Sequence, residues 1–212
     1  MKRGLYTEVD TEKFLKKYVA IAKHRFVHTQ RDAEAAARAL GFPLVLKLIS
    51  PGALHKSEVK GVRLVKNKVD FEHEYRDLVK IAKKKKLRLD GILVQEFVEG
   101  QYVLIGLKKD PVFGHVIVFG VGGVYTELLK DVAFRVCPIN VKDAQSMIDE
   151  LQMKELLYGF RGEKKANISK LKETLVKISK IPSKYPEIKE MDINPFVINH
   201  KRGVVVDARM KV

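Results

Sequence analysis

Met191-Asp192-Ile193-Asn194-Pro195-Phe196 is followed, after a polar turn at Asn199 to Gly203, by Val204-Val205-Val206-Asp207-Ala208. The reading of the whole chain turns on this stretch. Two apolar runs of β type flank a turn, which is the pattern of a hairpin. Asp192 and Asn194 are two apart and so share one face of the first strand. Asp207, at the end of the return strand, can meet Asn194 across the ladder. A carboxylate and an amide oxygen held on strands suit Mg²⁺, which takes one or two such ligands and completes its shell with phosphate oxygens. On the hairpin alone, the simpler reading has these residues capping turns.

A chain of 212 residues can bury a real core, as one domain or two small lobes. No run approaches the ~20 apolar residues of a membrane span. Met1-Lys2-Arg3-Gly4 is not followed by the apolar segment of a signal peptide. The single cysteine, Cys137, lies among Val136, Pro138 and Ile139 and reads as a small buried hydrophobe. The expectation is a cytoplasmic protein with no membrane attachment. The net charge of +15 raises nucleic acid as a partner. The basic residues are scattered, however. The one dense block, Lys83 to Lys86 with Arg88, falls at a helix end, where lysines complement the dipole. A positive field serves polyanionic small molecules such as nucleotides as well. The aromatic residues are expected on helix core faces, so a stacking surface for nucleic acid is disfavoured.

Along the chain, residues 11–18 read as a short amphipathic helix and Thr29 to Leu40 as a clearer one. Thr29 and Asp32 form a variant capping box, and Gly41 with Pro43 stops the helix. Leu44 to Ile49 is a buried-type strand interrupted by Lys47, which either snorkels at an edge or reaches an anion such as phosphate. The loop at 50–61 holds His55, Lys56 and Ser57. A neutral imidazole there is either a surface histidine or a nucleophile toward a phosphoryl group. A strand at 62–65 leads to a helix from Asp70, its expected N-cap, to Lys86. Strands follow at 91–94, 103–107 and 116–119. Gly120-Val121-Gly122-Gly123 would let backbone N–H groups approach phosphate, though it matches neither the Walker nor the dinucleotide fingerprint. A strand at 133–139 and helices at 142–157 and 168–180 precede Pro182 and Pro186, which end the helical part. Adjacent strands within a mixed order indicate an α+β fold rather than a doubly wound sheet.

Taken in order, these segments resemble the nucleotide-binding β subunit of ADP-forming acetyl-CoA (acyl-CoA) synthetases. The resemblance rests on Gly41-Phe42-Pro43-Leu44-Val45-Leu46-Lys47, Ser50-Pro51 and Leu54-His55-Lys56-Ser57-Glu58-Val59. It extends through Val94-Gln95-Glu96-Phe97-Val98, Asp110-Pro111-Val112-Phe113-Gly114, and Phe119 to Gly123 with Glu127, Asp131 and Arg135. Phe160-Arg161-Gly162, Asp192-Ile193-Asn194-Pro195 and Val206-Asp207-Ala208 complete the set.

The resemblance implies an ATP-grasp fold, two α+β lobes around a nucleotide, with kinship to the succinyl-CoA synthetase β chain. The lobes are expected at residues 1–93 and 94–212. It implies the reaction acyl-CoA + ADP + phosphate ⇌ acid + CoA + ATP. It also implies a CoA-binding α subunit that carries a phosphorylated histidine, in a hetero-oligomer with two of each chain. Carried over, Lys47 contacts the phosphates, and Glu96, Phe97 and Val98 form the adenine hinge. Asn194 and Asp207 ligate Mg²⁺, Gly122 and Gly123 lie near the phosphates, and His55 relays the phosphoryl group between the partner and ADP. The sequence departs from the family pattern at Lys60, His115 and Tyr102. Tyr102 stands where a ribose-binding Glu is usual, and Glu99 or the Tyr102 hydroxyl is the available substitute. A stand-alone ATP-grasp carboxylate ligase is the alternative enzyme, although the chain is short for one.

Overall fold

The computed structural model describes residues 4–52, 59–123, 131–162 and 164–212. In chain order the elements are β1 (Leu5–Tyr6), α1 (Glu8–Leu15), β2 (His24–Val27), α2 (Gln30–Leu40), β3 (Leu44–Ile49), β4 (Val62–Val65), α3 (Lys68–Lys84), β5 (Gly91–Glu96), β6 (Gln101–Asp110), β7 (Gly114–Val121), β8 (Val132–Val136), α4 (Val141–Glu150), α5 (Glu155–Tyr158), α6 (Ile168–Ser179), α7 (Ile181–Lys184), β9 (Glu190–Ile198), β10 (Gly203–Val205) and β11 (Ala208–Lys211). The α+β expectation holds.

The chain divides into two compact units, Ala22–Val98 and Met1–Ile21 with Glu99–Val212. This differs from the expected division after residue 93, because residues 1–21 go with the later part of the chain. Leu5 and Tyr6 pair with Lys211 and Met210, and Ile21 bridges Val205. Those pairings span nearly the whole sequence, so no local pattern announces them.

In the smaller unit the sheet order is β2-β5-β3-β4, with antiparallel neighbours. Leu44, Leu46 and Leu48 join Ile92 and Val94 in a core with Ala33, Ala36 and Ala37 of α2 and Phe71 and Leu78 of α3. Burying apolar residues at helical spacing against one sheet face drives this packing. Strand alternation leaves Val45 and Lys47 of β3, with Leu93 and Gln95 of β5, on the opposite face. Thr29 caps α2 as expected: its Oγ1 accepts the Asp32 N–H at 3.1 Å and donates to the Asp32 carboxylate at 2.7 Å. The cap of α3 is Asn67, not Asp70. Asn67 Oδ1 accepts the Asp70 N–H, and Asn67 Nδ2 donates to the Asp70 carboxylate, both at 3.0 Å. Asp70 therefore occupies the third helical position, where an acid answers the cap from inside the first turn.

The larger unit is built on a sheet ordered β1-β11-β9-β6-β7-β8, with β10 also pairing β9. Ile105, Leu107, Ile117, Phe119, Met191 and Ile193 form its core face, together with Met147 and Ile148 of α4 and Leu171 and Leu175 of α6. The helix expected over 142–157 is broken after Glu150. The carboxylate of Asp131, 7% exposed, accepts the Gln152 and Met153 N–H groups, each at 2.9 Å. Those donors are thereby withdrawn from the helical ladder. Pro182 does not end the helical part; it opens α7, where its missing N–H costs nothing.

The hairpin forms as expected, with one refinement. Val205 pairs with Phe196 and Ala208 with Ile193, so Asn194-Pro195 faces Val206-Asp207 at an interruption of the ladder. Pro195 has no N–H to offer there. Two bonds bridge the gap: Val206 N–H to Pro195 O at 3.1 Å, and Asn194 N–H to Asp207 O at 3.0 Å.

Candidate active site

The larger unit supplies the candidate metal end. Ile193 and Ala208 point into the core, so alternation sends Asn194 and Asp207 to the other sheet face. Both are half-buried. The end of β7 bends over the start of β6, and two residues let it do so. The Gly122 N–H donates to Tyr102 O at 2.8 Å. A Cβ at Gly122 would lie 2.6 Å from the Val103 carbonyl carbon, so only glycine permits this approach. Gly123 follows at φ +75° and its N–H donates to Asn194 Oδ1 at 3.0 Å. A backbone N–H needs an acceptor, so this bond fixes which end of the Asn194 amide is oxygen. Mg²⁺ is a hard cation and takes oxygen donors. An oriented amide oxygen and a neighbouring carboxylate, one facing the other at a break in the ladder, fit that requirement.

The smaller unit supplies the candidate nucleotide end. Lys47 is 3% exposed and lies opposite Leu93 of β5 and Val62 of β4. It is therefore not snorkelling at an edge. At the hinge, the Glu96 N–H donates to Lys23 O at 2.8 Å and the Phe97 N–H to Pro43 O at 3.2 Å. The Glu96 carboxylate accepts the Lys23 N–H at 2.8 Å. Two of the three expected hinge donors are thus engaged within the fold. Val98, the third expected hinge residue, is buried.

Glu99 is exposed and its carbonyl accepts Asn199 Nδ2 at 2.7 Å, while Tyr102 is 42% exposed. His55 and Glu127 lie outside the described residues. The sequence reading named Gly122 for the phosphates and Tyr102 for the ribose, but not the close approach of Gly122 to the Val103 backbone or the place of Tyr102 beneath that turn. The Gly-Gly pair after a strand was the available signal for the first. The aromatic residues are also less confined than expected: Phe71 and Tyr75 are in the core, but Phe113, Phe134 and Phe160 are exposed. Among the described residues, no helix is long and apolar enough to cross a membrane.

Two α+β units, one carrying the oriented Asn194–Asp207 pair and the other a buried lysine on a central strand, fit a nucleotide-handling protein. The sequence matches the ATP-grasp domain family over residues 1–212, and the chain belongs to that family. Within it, the chain groups with the β subunits of ADP-forming acetate–CoA ligases. It is 36% identical over 208 residues to the β subunit of acetate–CoA ligase [ADP-forming] I from Pyrococcus furiosus, covering 96% of this chain and 90% of that one. It is 38% identical over 195 residues to acetate–CoA ligase [ADP-forming] I from Archaeoglobus fulgidus. That match covers 91% of this chain but only 28% of the longer relative. Among solved structures, the dinucleotide forming acetyl-coenzyme A synthetase 1 of Ca. Korarchaeum cryptofilum, in complex with coenzyme A and Ca-AMPCP, superposes with a TM-score of 0.93 at 38% identity, covering 98% of this chain and 93% of that one. Another structure of that enzyme, with coenzyme A and Mg-AMPPCP, gives a TM-score of 0.84 at 37% identity, covering 98% and 92%.

Proposed function

We propose that this chain is the nucleotide-binding subunit of an ADP-forming acyl-CoA synthetase, catalysing acyl-CoA + ADP + phosphate ⇌ acid + CoA + ATP with a CoA-binding α subunit. The observation that carries the reading is the Asn194–Asp207 pair at the interrupted ladder, with Gly123 holding the Asn194 oxygen. Asn194 and Asp207 would hold Mg²⁺, which when bound screens the charge of the transferring phosphoryl group. Lys47 adds a fixed positive charge toward the phosphates, a role that accounts for its burial. The hinge orients adenine through the Val98 N–H and the carbonyls of Glu96 and Phe97, while Glu99 stands where the ribose hydroxyls would be read. Gly122 and Gly123 would form a turn near the phosphates, their own N–H groups being engaged by Tyr102 O and the Asn194 side chain. His55 would accept the phosphoryl group from the partner's histidine and pass it to ADP, its neutral imidazole acting as the nucleophile near pH 7. A hetero-oligomer with two of each chain, in the cytoplasm where nucleotide and CoA are held, suits this reading.

Calorimetric titration with Mg²⁺–ADP tests it, beside an Asp207→Ala variant and a duplex-DNA control. Micromolar, Mg²⁺-dependent binding lost in the variant is expected. DNA binding without nucleotide binding, in the chain and in its complex with the α subunit, would refute the site.

A further inference from the structure

Tyr102 touches the glycine-rich turn with both backbone and ring. Its carbonyl accepts the Gly122 N–H at 2.8 Å, and its ring underlies Gly123. A Cβ added at Gly123 would meet Tyr102 Cδ2 at 3.2 Å, and its φ of +75° already disfavours a side chain. The N–H of that same Gly123 fixes the Asn194 amide. Backbone and ring of one residue therefore hold the turn that orients the candidate metal ligand. We propose that Tyr102 and Gly123 are positioning residues for the Asn194 oxygen, so that the glycine-rich turn sets divalent-cation affinity as well as lying near phosphate. The inference rests on the reading of Asn194 as a metal ligand.

The physical basis is that a ligand oxygen held by an outer hydrogen bond loses no rotamer freedom when a cation arrives. Without the ring beneath it, the turn can lift, and the amide is then free to rotate and present nitrogen. Removing an outer partner of this kind typically weakens metal affinity about tenfold or more. A ribose-reading role for Tyr102 predicts something different: loss of nucleotide affinity whether or not metal is present, and sensitivity to the hydroxyl alone.

The test uses the whole chain with Mn²⁺ as probe, followed by the electron paramagnetic resonance signal of the free ion, with and without ADP. Metal-free ADP affinity and melting temperature are measured in parallel. Tyr102→Ala and Gly123→Ala are expected to weaken Mn²⁺ binding about tenfold, a larger loss than either shows in metal-free ADP affinity, and the melting temperature shows whether each variant is folded. Tyr102→Phe keeps the ring and is expected to behave as the parent. If Tyr102→Phe loses as much as Tyr102→Ala, the hydroxyl acts directly and the positioning role is overturned. If both alanine variants bind Mn²⁺ normally while Asn194→Ala does not, the positioning role fails and the metal site stands. If Asn194→Ala also binds normally, the metal reading itself fails.

Discussion

The backbone N–H of Asn194 donates to the carbonyl of Asp207 at 3.0 Å, across the gap that Pro195 leaves in the ladder. The two candidate metal ligands are thus tied by main chain. Side-chain replacement at either position should leave the hairpin folded, which makes the site open to mutagenesis.

Lys47→Met keeps the apolar stem of the buried side chain and removes the ammonium group with its charge and donors. Nucleotide affinity is expected to fall by about tenfold or more, the scale of a lost charge-assisted hydrogen bond. Titration with ADP against the parent checks it, and an unchanged affinity would remove Lys47 from the phosphate site.

His55→Asn should bind Mg²⁺–ADP as the parent does, yet fail in turnover once the CoA-binding subunit is present. Acid-labile phosphate on the parent chain, absent from the variant, is the accompanying signature. Full turnover by the variant would eliminate the relay.

Asp131→Ala deprives the Gln152 and Met153 N–H groups of a buried acceptor. A loss of about 2–3 kcal/mol is expected from the abandoned donors. Urea unfolding measures it, and a change under half a kcal/mol would mean the break after α4 does not depend on this carboxylate.

Asn67→Ala should cost about 1 kcal/mol through the lost helix cap, and Asp70→Ala less, since Asp70 only answers the cap. The reverse ranking in paired unfolding curves would restore Asp70 as the cap.

Burial pushes the Cys137 thiol up from its ordinary value to about 12. At pH 8 the group stays protonated in the fold, so alkylation should be far slower than for a free thiol and recover in denaturant. Because the folded value is raised, the unfolded chain releases this proton first. The thiol's contribution to stability is therefore complete below the ordinary thiol range and lost as pH rises from there toward 12. Rapid alkylation of the native chain at pH 8 would contradict this.

Much of this fold was legible because its signals are local. The alternation around Asn194, the alanine-rich helix closed by Gly41, and one lysine in an apolar strand each act within a few residues. The break in the helix after Glu150 was not legible, since its cause is a carboxylate some twenty residues earlier. His24–Val27 was missed because four residues with two polar side chains give little period to read. At the candidate site, residue types pointed to Lys47 and to the Asn194–Asp207 pair. Which hinge N–H groups are already engaged is decided by Lys23 and Pro43, and that depends on the folded backbone.

The pairing of the first residues with the last has a topological consequence. On one side of Ala22–Val98, the Val205 N–H holds Ala20 O at 2.9 Å; on the other, Gln101 pairs with Ile198. Both crossings are therefore anchored on the same β9–β10 hairpin. In genetic terms the smaller unit is a cassette inserted into the larger one, and a short bridge could replace it without removing a strand from the larger sheet. Recombination could exchange such a cassette while leaving the hairpin that carries Asn194 and Asp207 intact.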